Sequence, residues 1–208
     1  METDGVLIER SARGRPDAFV EVVRRHEVAV HAFLARRAGR QAADDLLGEV
    51  WVRAFGGRGG FDPAHSDARP WLYGIARNVL RAHWRAVRLV AQLGGAEPAD
   101  RGGVGVAEAA GRAGGVQAVG RGRAVEAVDP WDDVIDRLDS TAAARTREMA
   151  DAARALPPEE REVLLLVAWE QLTPTQAALV LGVPPGTARS RLHRARAALR
   201  PVLAGEGS

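Results

Sequence analysis

Thr173-Pro-Thr-Gln-Ala-Ala-Leu-Val-Leu-Gly182-Val-Pro-Pro-Gly-Thr-Ala-Arg-Ser-Arg-Leu-His-Arg-Ala-Arg-Ala-Ala-Leu-Arg200 reads as two helices around a tight turn. Thr173 is placed to cap the first helix, with Pro174 at its first position and Gln176 three residues after the cap. Ala177, Ala178 and Leu181 supply an apolar stripe. Gly182 stops that helix, because glycine takes a left-handed backbone without a steric cost. Pro184-Pro185-Gly186 bars helix until Thr187, and the second helix then runs to about Leu199. Its Ala188, Leu192, Ala195 and Leu199 share one face. Thr187, Ser190, Arg191 and Arg194 lie roughly opposite, and Arg189, His193, Arg196 and Arg200 flank them. No acid occurs between Val183 and Gly205. A helix-turn-helix puts such a helix in the DNA major groove, where arginine bonds guanine edges and Ser or Thr bonds bases or phosphate. A solvated basic helix of a bundle is the plainer alternative. The turn chemistry and the acid-free arginine face together favour DNA.

Upstream stands Leu156-Pro157-Pro158-Glu159-Glu160-Arg161-Glu162-Val163-Leu164-Leu165-Leu166. With the helix-turn-helix and Gly186-Thr187-Ala188-Arg189-Ser190-Arg191-Leu192-His193-Arg194-Ala195-Arg196, it resembles the C-terminal promoter-reading domain of extracytoplasmic-function sigma factors. These are small specificity subunits of bacterial RNA polymerase. The resemblance implies that Thr187, Arg189, Ser190, Arg191, His193, Arg194 and Arg196 meet a −35 element.

A chain of 208 residues allows one or two domains. It is 46% apolar but only 5% aromatic, so its cores are small. It has no lysine; all 29 basic residues are arginine, and the net charge is +2. The pI of about 10.2 overstates its basicity, since with no lysine or cysteine almost nothing releases a proton above neutral pH before the N-terminus and Tyr73 do. Charge is segregated rather than uniform. The absence of cysteine excludes disulfides, thiol chemistry and a cysteine zinc site. The acidic N-terminus lacks a signal peptide's apolar core. The longest wholly apolar run, Val163–Trp169, is too short to span a bilayer. The expectation is a soluble, cytoplasmic protein without membrane insertion.

Residues 1–16 carry weak patterning and read as a frayed lead-in. Pro16-Asp17 starts a helix in which Phe19, Val22, Val23, His26, Val30, Phe33 and Leu34 repeat at helical spacing, with Gly39 as its stop. His26 and His31 are five apart and do not share a face, which disfavours metal ligation. Ala42–Phe55 is the next helix, with Leu46, Leu47, Val50 and Ala54 buried and Asp45, Glu49 and Arg53 in an exposed ion-pair row. The resemblance extends here: Asp45-Leu46-Leu47-Gly48-Glu49-Val50-Trp51-Val52-Arg53-Ala54-Phe55 matches the segment that grips the polymerase clamp. It implies core-polymerase contacts from Asp45, Leu46, Glu49, Trp51, Val52, Arg53 and Phe55. Gly48 departs from the glutamine usual in that family.

A glycine-rich loop, Gly56–Arg69, leads to a helix opened by Pro70-Trp71 and reaching about Val90. Leu72, Ile75 and Val79 are its apolar face. Arg77, Arg81, Arg85 and Arg88 recur on a stripe that starts roughly 200° round from Ile75. No acid appears from Ala68 to Ala96, and Trp71, Tyr73 and Trp84 are interleaved. Arginines follow phosphates and aromatics stack on exposed bases, which suits a strand being opened. Trp71 and Tyr73 can also be core residues, and for Trp71 that reading is the favoured one. Trp71-Leu-Tyr-Gly-Ile-Ala-Arg-Asn78 resembles the family segment that recognises and melts the −10 element. The implied −10 contacts are Phe61, in the base-capturing loop, then Trp71, Tyr73, Arg77 and Asn78, and further along Arg81, Trp84, Arg85 and Arg88.

Eight glycines between Gly102 and Gly122 mark a linker over 91–140, whose end, Glu126–Asp139, carries six acids against Arg137. Gly103-Val104-Gly105 is no phosphate loop, because a chain without lysine has no Gly-Lys pair. Ser140 caps a helix to about Ala155, and Leu156-Pro157-Pro158 breaks it. Glu159 and Glu160 then start a helix with Val163, Leu164, Val167 and Ala168 buried.

The expected fold is all-α: two small helical domains, 17–90 and 141–203, joined by a long flexible linker. No nucleophile and base, metal-ligand set or cofactor loop is present, so neither catalysis nor a cofactor is expected. A stand-alone helix-turn-helix regulator explains Thr173–Arg200 but leaves the arginine-aromatic helix unused. The resemblance implies core RNA polymerase and promoter DNA as partners, duplex at −35 and melted at −10. An anti-sigma factor clasped between the domains is a further partner it implies.

Overall fold

A computed structural model describes residues 2–94, 148 and 151–204. They are helical, with one short 3-10 turn at Arg58–Gly60 and no strand among them. The first four helices are α1 (Asp4–Ala12), α2 (Ala18–Ala38), α3 (Arg40–Gly57) and α4 (Arg69–Gly94). Residues 148 and 151–154 are helical, and α5 (Pro158–Ala168), α6 (Pro174–Leu181) and α7 (Pro185–Ala204) follow. The all-α expectation holds. Residues 95–140 of the expected linker and the Ser140 cap lie outside the described residues.

Apolar residues at helical spacing build the first core. Val22, Val30, Phe33 and Leu34 of α2 meet Val50 of α3 and Leu72 and Val79 of α4, all buried. Burying each such side chain contributes roughly 1.5–3 kcal/mol. In α3 the buried set is Ala43, Leu46, Val50 and Ala54, with Leu47 at the margin. The expected exposed pair forms, Arg53 reaching Glu49 at 2.5 Å.

The chain before Asp17 is not frayed. Thr3 Oγ1 accepts from the Val6 amide at 3.4 Å and starts α1. A nine-residue helix is too short to hold alone in water. Packing holds it: Leu7 and Ile8 enter the core, and α1 lies against α2 and the 3-10 turn.

The helix α5 buries more than one side. Val163, Leu165 and Leu166 are buried, whereas Ala168 is exposed and Leu164 and Val167 are half-buried. Leu164 packs beside Leu199 of α7, and Leu166 joins the core of the first four helices. A helix sandwiched between two neighbours has no single stripe, so the one-face expectation failed there. Arg161 turns back to donate to the Arg154 and Leu156 carbonyls, at 2.5 and 3.0 Å, closing the end of the preceding helix. The start of α7 also moves. Helix begins at Pro185, not Thr187, because a first-turn proline has no amide to lose.

The C-terminal helices sit directly on the first bundle. Leu166, Leu172, Ala177 and Val180 belong to the same apolar cluster as Leu72, Tyr73 and Ala76. Polar bridges accompany them. Glu162 takes Arg77 in a fork, at 2.5 and 3.1 Å. Gln176 donates to Asp67 at 3.3 Å. Glu170, its side chain 2% exposed, takes Arg36 through both oxygens at 2.7 Å and Arg37 at 3.3 Å. Arg37 also donates to the Phe33 carbonyl at 2.8 Å and lies 3.5 Å over the Phe33 ring. Burial weakens Arg37's hold on its proton, and the Glu170 charge counters that.

This packing makes two predictions. Gly48 is exposed in mid-helix, and a Cβ there meets nothing within 4 Å. Gly48→Ala is expected to stabilise the fold by about 1 kcal/mol, read from urea unfolding. Glu170→Ala strands a buried guanidinium, which costs roughly 3–5 kcal/mol in comparable pairs. The expected outcome is parting of the two helical units, seen as a larger radius of gyration by small-angle X-ray scattering with helix content retained.

Candidate nucleic-acid interfaces

The first surface is built by α6, the turn and α7. Thr173 Oγ1 accepts from the Gln176 amide at 3.2 Å, and Gln176 Oε1 accepts from the Thr173 amide at 2.9 Å. This reciprocal cap fixes the start of α6. Gly182 ends it with φ 67° and ψ 37°, the left-handed region that favours glycine. The Val183 amide then bonds the Ala178 carbonyl at 3.1 Å. These bonds set the angle at which α7 leaves. Ala188, Leu192, Ala195 and Leu199 are buried as the spacing requires.

The opposite side of α7 faces out. Arg189, Ser190, His193 and Arg196 are exposed, and Thr187 and Arg191 are half-buried. Arg194 is exposed but donates from Nε to Glu160 at 2.5 Å, a carboxylate of the first turn of α5. Six of the seven expected −35 residues thus line the outer side without a carboxylate from α7 itself, and the seventh is tied to a neighbour.

The second surface runs along α4. Arg53, Asn78, Arg81, Trp84, Arg85 and Arg88 line a groove of about 540 Å³. Five of these were expected as −10 residues. Arg53, expected to meet polymerase, also lines this groove. A groove with four guanidinium groups and an indole wall can hold phosphates and a stacked base. His83, T-shaped against Trp84 at 5.1 Å, is pushed down from its ordinary pKa by burial, which disfavours its charged form.

A second hollow of about 740 Å³ lies at the start of α4, between the Phe61–Asp67 loop and Gln176–Gly182 of α6. Phe61, Trp71, Arg77 and Asn78 line it. The Phe61 ring meets Trp71 edge-on at 5.1 Å and is itself 8% exposed. Arg77 was expected on a free stripe, but Glu162 holds it. Tyr73 does not join either hollow. It is 2% exposed and stacks on Phe33 at 4.9 Å. Burial first, and then the Glu170 charge, push its hydroxyl up to about 12. Of the alternatives the sequence left open for Tyr73, this arrangement is the core one.

The expected polymerase-facing residues divide. Asp45, Glu49, Val52, Arg53 and Phe55 are exposed, with Val52 at 74%. Leu46 is buried in the core, and Trp51 is half-buried with its edge on Phe19 at 6.3 Å. Phe55 carries the Arg58 guanidinium 3.8 Å over its ring.

Sequence reasoning missed a buried polar group beneath the loop. Asp4, His26 and Asp67 bring one ligand atom each within 4.8 Å of one another. Their oxygens are already engaged: Asp4 by Arg25, His26 and the Ala68 amide, Asp67 by Arg69 and Gln176. Burial raises both carboxyl groups, but these hydrogen bonds and charges outweigh it and leave both below the ordinary value. The group therefore reads as a polar network. Its one early signal was His26, a polar residue within the apolar repeat of α2.

Among the described residues no helix is long and apolar enough to cross a membrane. Two family models match the chain. Sigma-70 region 2 covers residues 22–89, and Sigma-70, region 4 covers 146–199. RNA polymerase sigma factor CnrH of Cupriavidus metallidurans is 31% identical over 97% of this chain and 95% of its own length. ECF RNA polymerase sigma factor BldN of Streptomyces coelicolor is 27% identical over 95% of this chain, which spans 64% of BldN. The solved structure of CnrH in complex with the cytosolic domain of CnrY shares the fold, with a TM-score of 0.56 at 23% identity over 98% of this chain and 99% of that one. The region 2 and region 4 matches fall on the two arginine surfaces, and the full-length likeness to CnrH joins them: the chain belongs to the ECF sigma factors of RNA polymerase.

Proposed function

We propose that this chain binds core RNA polymerase and directs it to promoters read at two separate elements. The outer side of α7 reads the −35 duplex, with Arg189, Arg191, Arg194 and Arg196 as its cations. The arginine groove of α4 and the Phe61 hollow take the −10 strand as it opens. The exposed side of α3, from Asp45 to Phe55, meets polymerase. Residues 17–90 and 141–203 act as two readers, and 91–140 joins them. Such a role needs no catalytic group, and it puts the protein in the cytoplasm, where polymerase works.

The observation that carries this reading is the pairing of an acid-free helix-turn-helix face with a separate groove of four arginines and Trp84. A stand-alone regulator has use for the first surface only. Two weak sites on one chain also gain from effective concentration when the connection spans them. Elements spaced along a duplex cannot both be met while α6 walls the Phe61 hollow and Glu162 holds Arg77. The packed arrangement is a closed state, and promoter engagement separates the two units. CnrH has been solved in complex with the cytosolic domain of CnrY, and the sigma factor RpoE in complex with the anti-sigma factor NepR. A protein of that kind, holding the units together, is the partner expected here.

The deciding experiment is run-off transcription on fragmented genomic DNA, with core polymerase alone and with this chain added, followed by sequencing of the 5′ ends. Discrete new starts that share two upstream motifs are expected. A folded chain that adds no starts would overturn the proposal. On a promoter so found, Arg191→Ala with Arg194→Ala is expected to cost roughly 1–3 kcal/mol of discrimination for each base-reading side chain removed. Competition between −35 variants measures it.

A further inference from the structure

We propose that α1 is a positioning element for the loop that reads the −10 strand, with Asp4 as its positioning residue. This rests on the −10 role proposed above for Phe61 and its hollow. The loop between the 3-10 turn and α4 has little internal structure to fix it. Asp62 accepts from the Ala64 amide at 3.0 Å, and its carbonyl accepts from the His65 amide at 3.0 Å. Beyond that turn, the loop is held from outside.

Asp4 supplies the hold on both sides of the chain. Its amide donates to the Ser66 carbonyl at 3.3 Å. Its Oδ2 accepts from the Ala68 amide at 3.0 Å and meets His26 Nε2 at 2.7 Å. Its Oδ1 accepts from Arg25 at 3.1 Å. One carboxylate thus ties the end of the loop to two side chains of α2. Asp4 is 6% exposed, so water does not compete for these bonds.

Gly5 completes the contact. A Cβ there would overlap the carbonyl oxygens of Pro63 and His65. The backbone of α1 lies directly on the loop, with no side chain between them. His65 in turn meets the Phe61 ring edge-on at 6.3 Å, and Phe61 meets Trp71. A shift of the backbone at 63–66 therefore moves the two rings that line the hollow. The exposed side of α3 and the outer side of α7 lie outside this chain of contacts.

The test uses holoenzyme assembled from the full chain and core polymerase. The probes are single-stranded oligonucleotides carrying the −10 sequence found by start-site mapping, or that sequence with its bases exchanged. Asp4→Ala and Gly5→Ala are each expected to reduce the preference for the correct oligonucleotide about tenfold, the worth of a buried hydrogen bond or so. Affinity for core polymerase and for −35 duplex is expected to stay the same. Alanine favours helix over glycine, so lost selectivity in Gly5→Ala reports a displaced loop and not a lost helix. That variant also carries the test if Asp4→Ala fails to assemble. Selectivity equal to the unmodified chain in an assembled variant overturns the positioning role alone. Absence of selectivity in the unmodified holoenzyme overturns it together with the −10 reading.

Discussion

Glu170 sits between two arginines of another helix and is almost wholly shielded from water. Such a carboxylate is stable only where its charge is fully answered. Arg36 and Arg37 answer it, and Arg37 is held in turn by the Phe33 carbonyl and ring. The placing of α5 and α6 against the first bundle depends on this point. Leu166 before it and Leu172 after it enter the common core, and Gln171 between takes a positive φ of 54° to let the chain turn there. A left-handed non-glycine residue is uncommon, and the burial on both sides holds it in place.

The consequence is a surface with two uses. The start of α4 offers Trp71, Arg77 and Asn78 to a hollow that nucleic acid could fill, while the adjacent residues offer Tyr73 and Gly74 to α6. Glu162 stands toward Arg77 as a phosphate would, and Glu160 toward Arg194 likewise. Both acids lie near the start of α5, and Glu160, in its first turn, also favours the helix dipole. One short helix start therefore answers a cation from each candidate DNA surface.

The helix-turn-helix was legible because its signals are local. A capping threonine, a glutamine three residues on and a glycine at the stop act within one turn of backbone, and all three behave as their chemistry requires. The buried faces of α2 and α3 were legible from periodicity alone. What escaped was set by distance. Arg77 and Glu162 are 85 residues apart in the chain, and nothing near Arg77 marks its partner. Tyr73 fits an exposed aromatic as well as a core one until Phe33 is placed beside it. The helix α1 had a cap in Thr3 and a pair in Leu7 and Ile8, but its hold on the loop joins the Asp4 carboxylate and the α1 backbone to main-chain groups some sixty residues away, which no local side-chain pattern records. The hollow beside Phe61 was half-read: its α4 wall was visible in the sequence, and its α6 wall was not.

Because the chain has no lysine, the links between the two units described above that involve a cation all use guanidinium groups. These links differ in how far dissolved ions reach them. Arg77 and Glu162 are about one-fifth exposed, whereas Arg37 and Glu170 are sealed. Added salt screens the first and hardly touches the second. Rising ionic strength therefore weakens the Arg77–Glu162 bridge before the Arg37–Glu170 pair. The same ions weaken phosphate binding to the freed arginines. In the proposed function, opening and DNA capture thus respond to salt in opposite directions, and an intermediate ionic strength is the compromise between them.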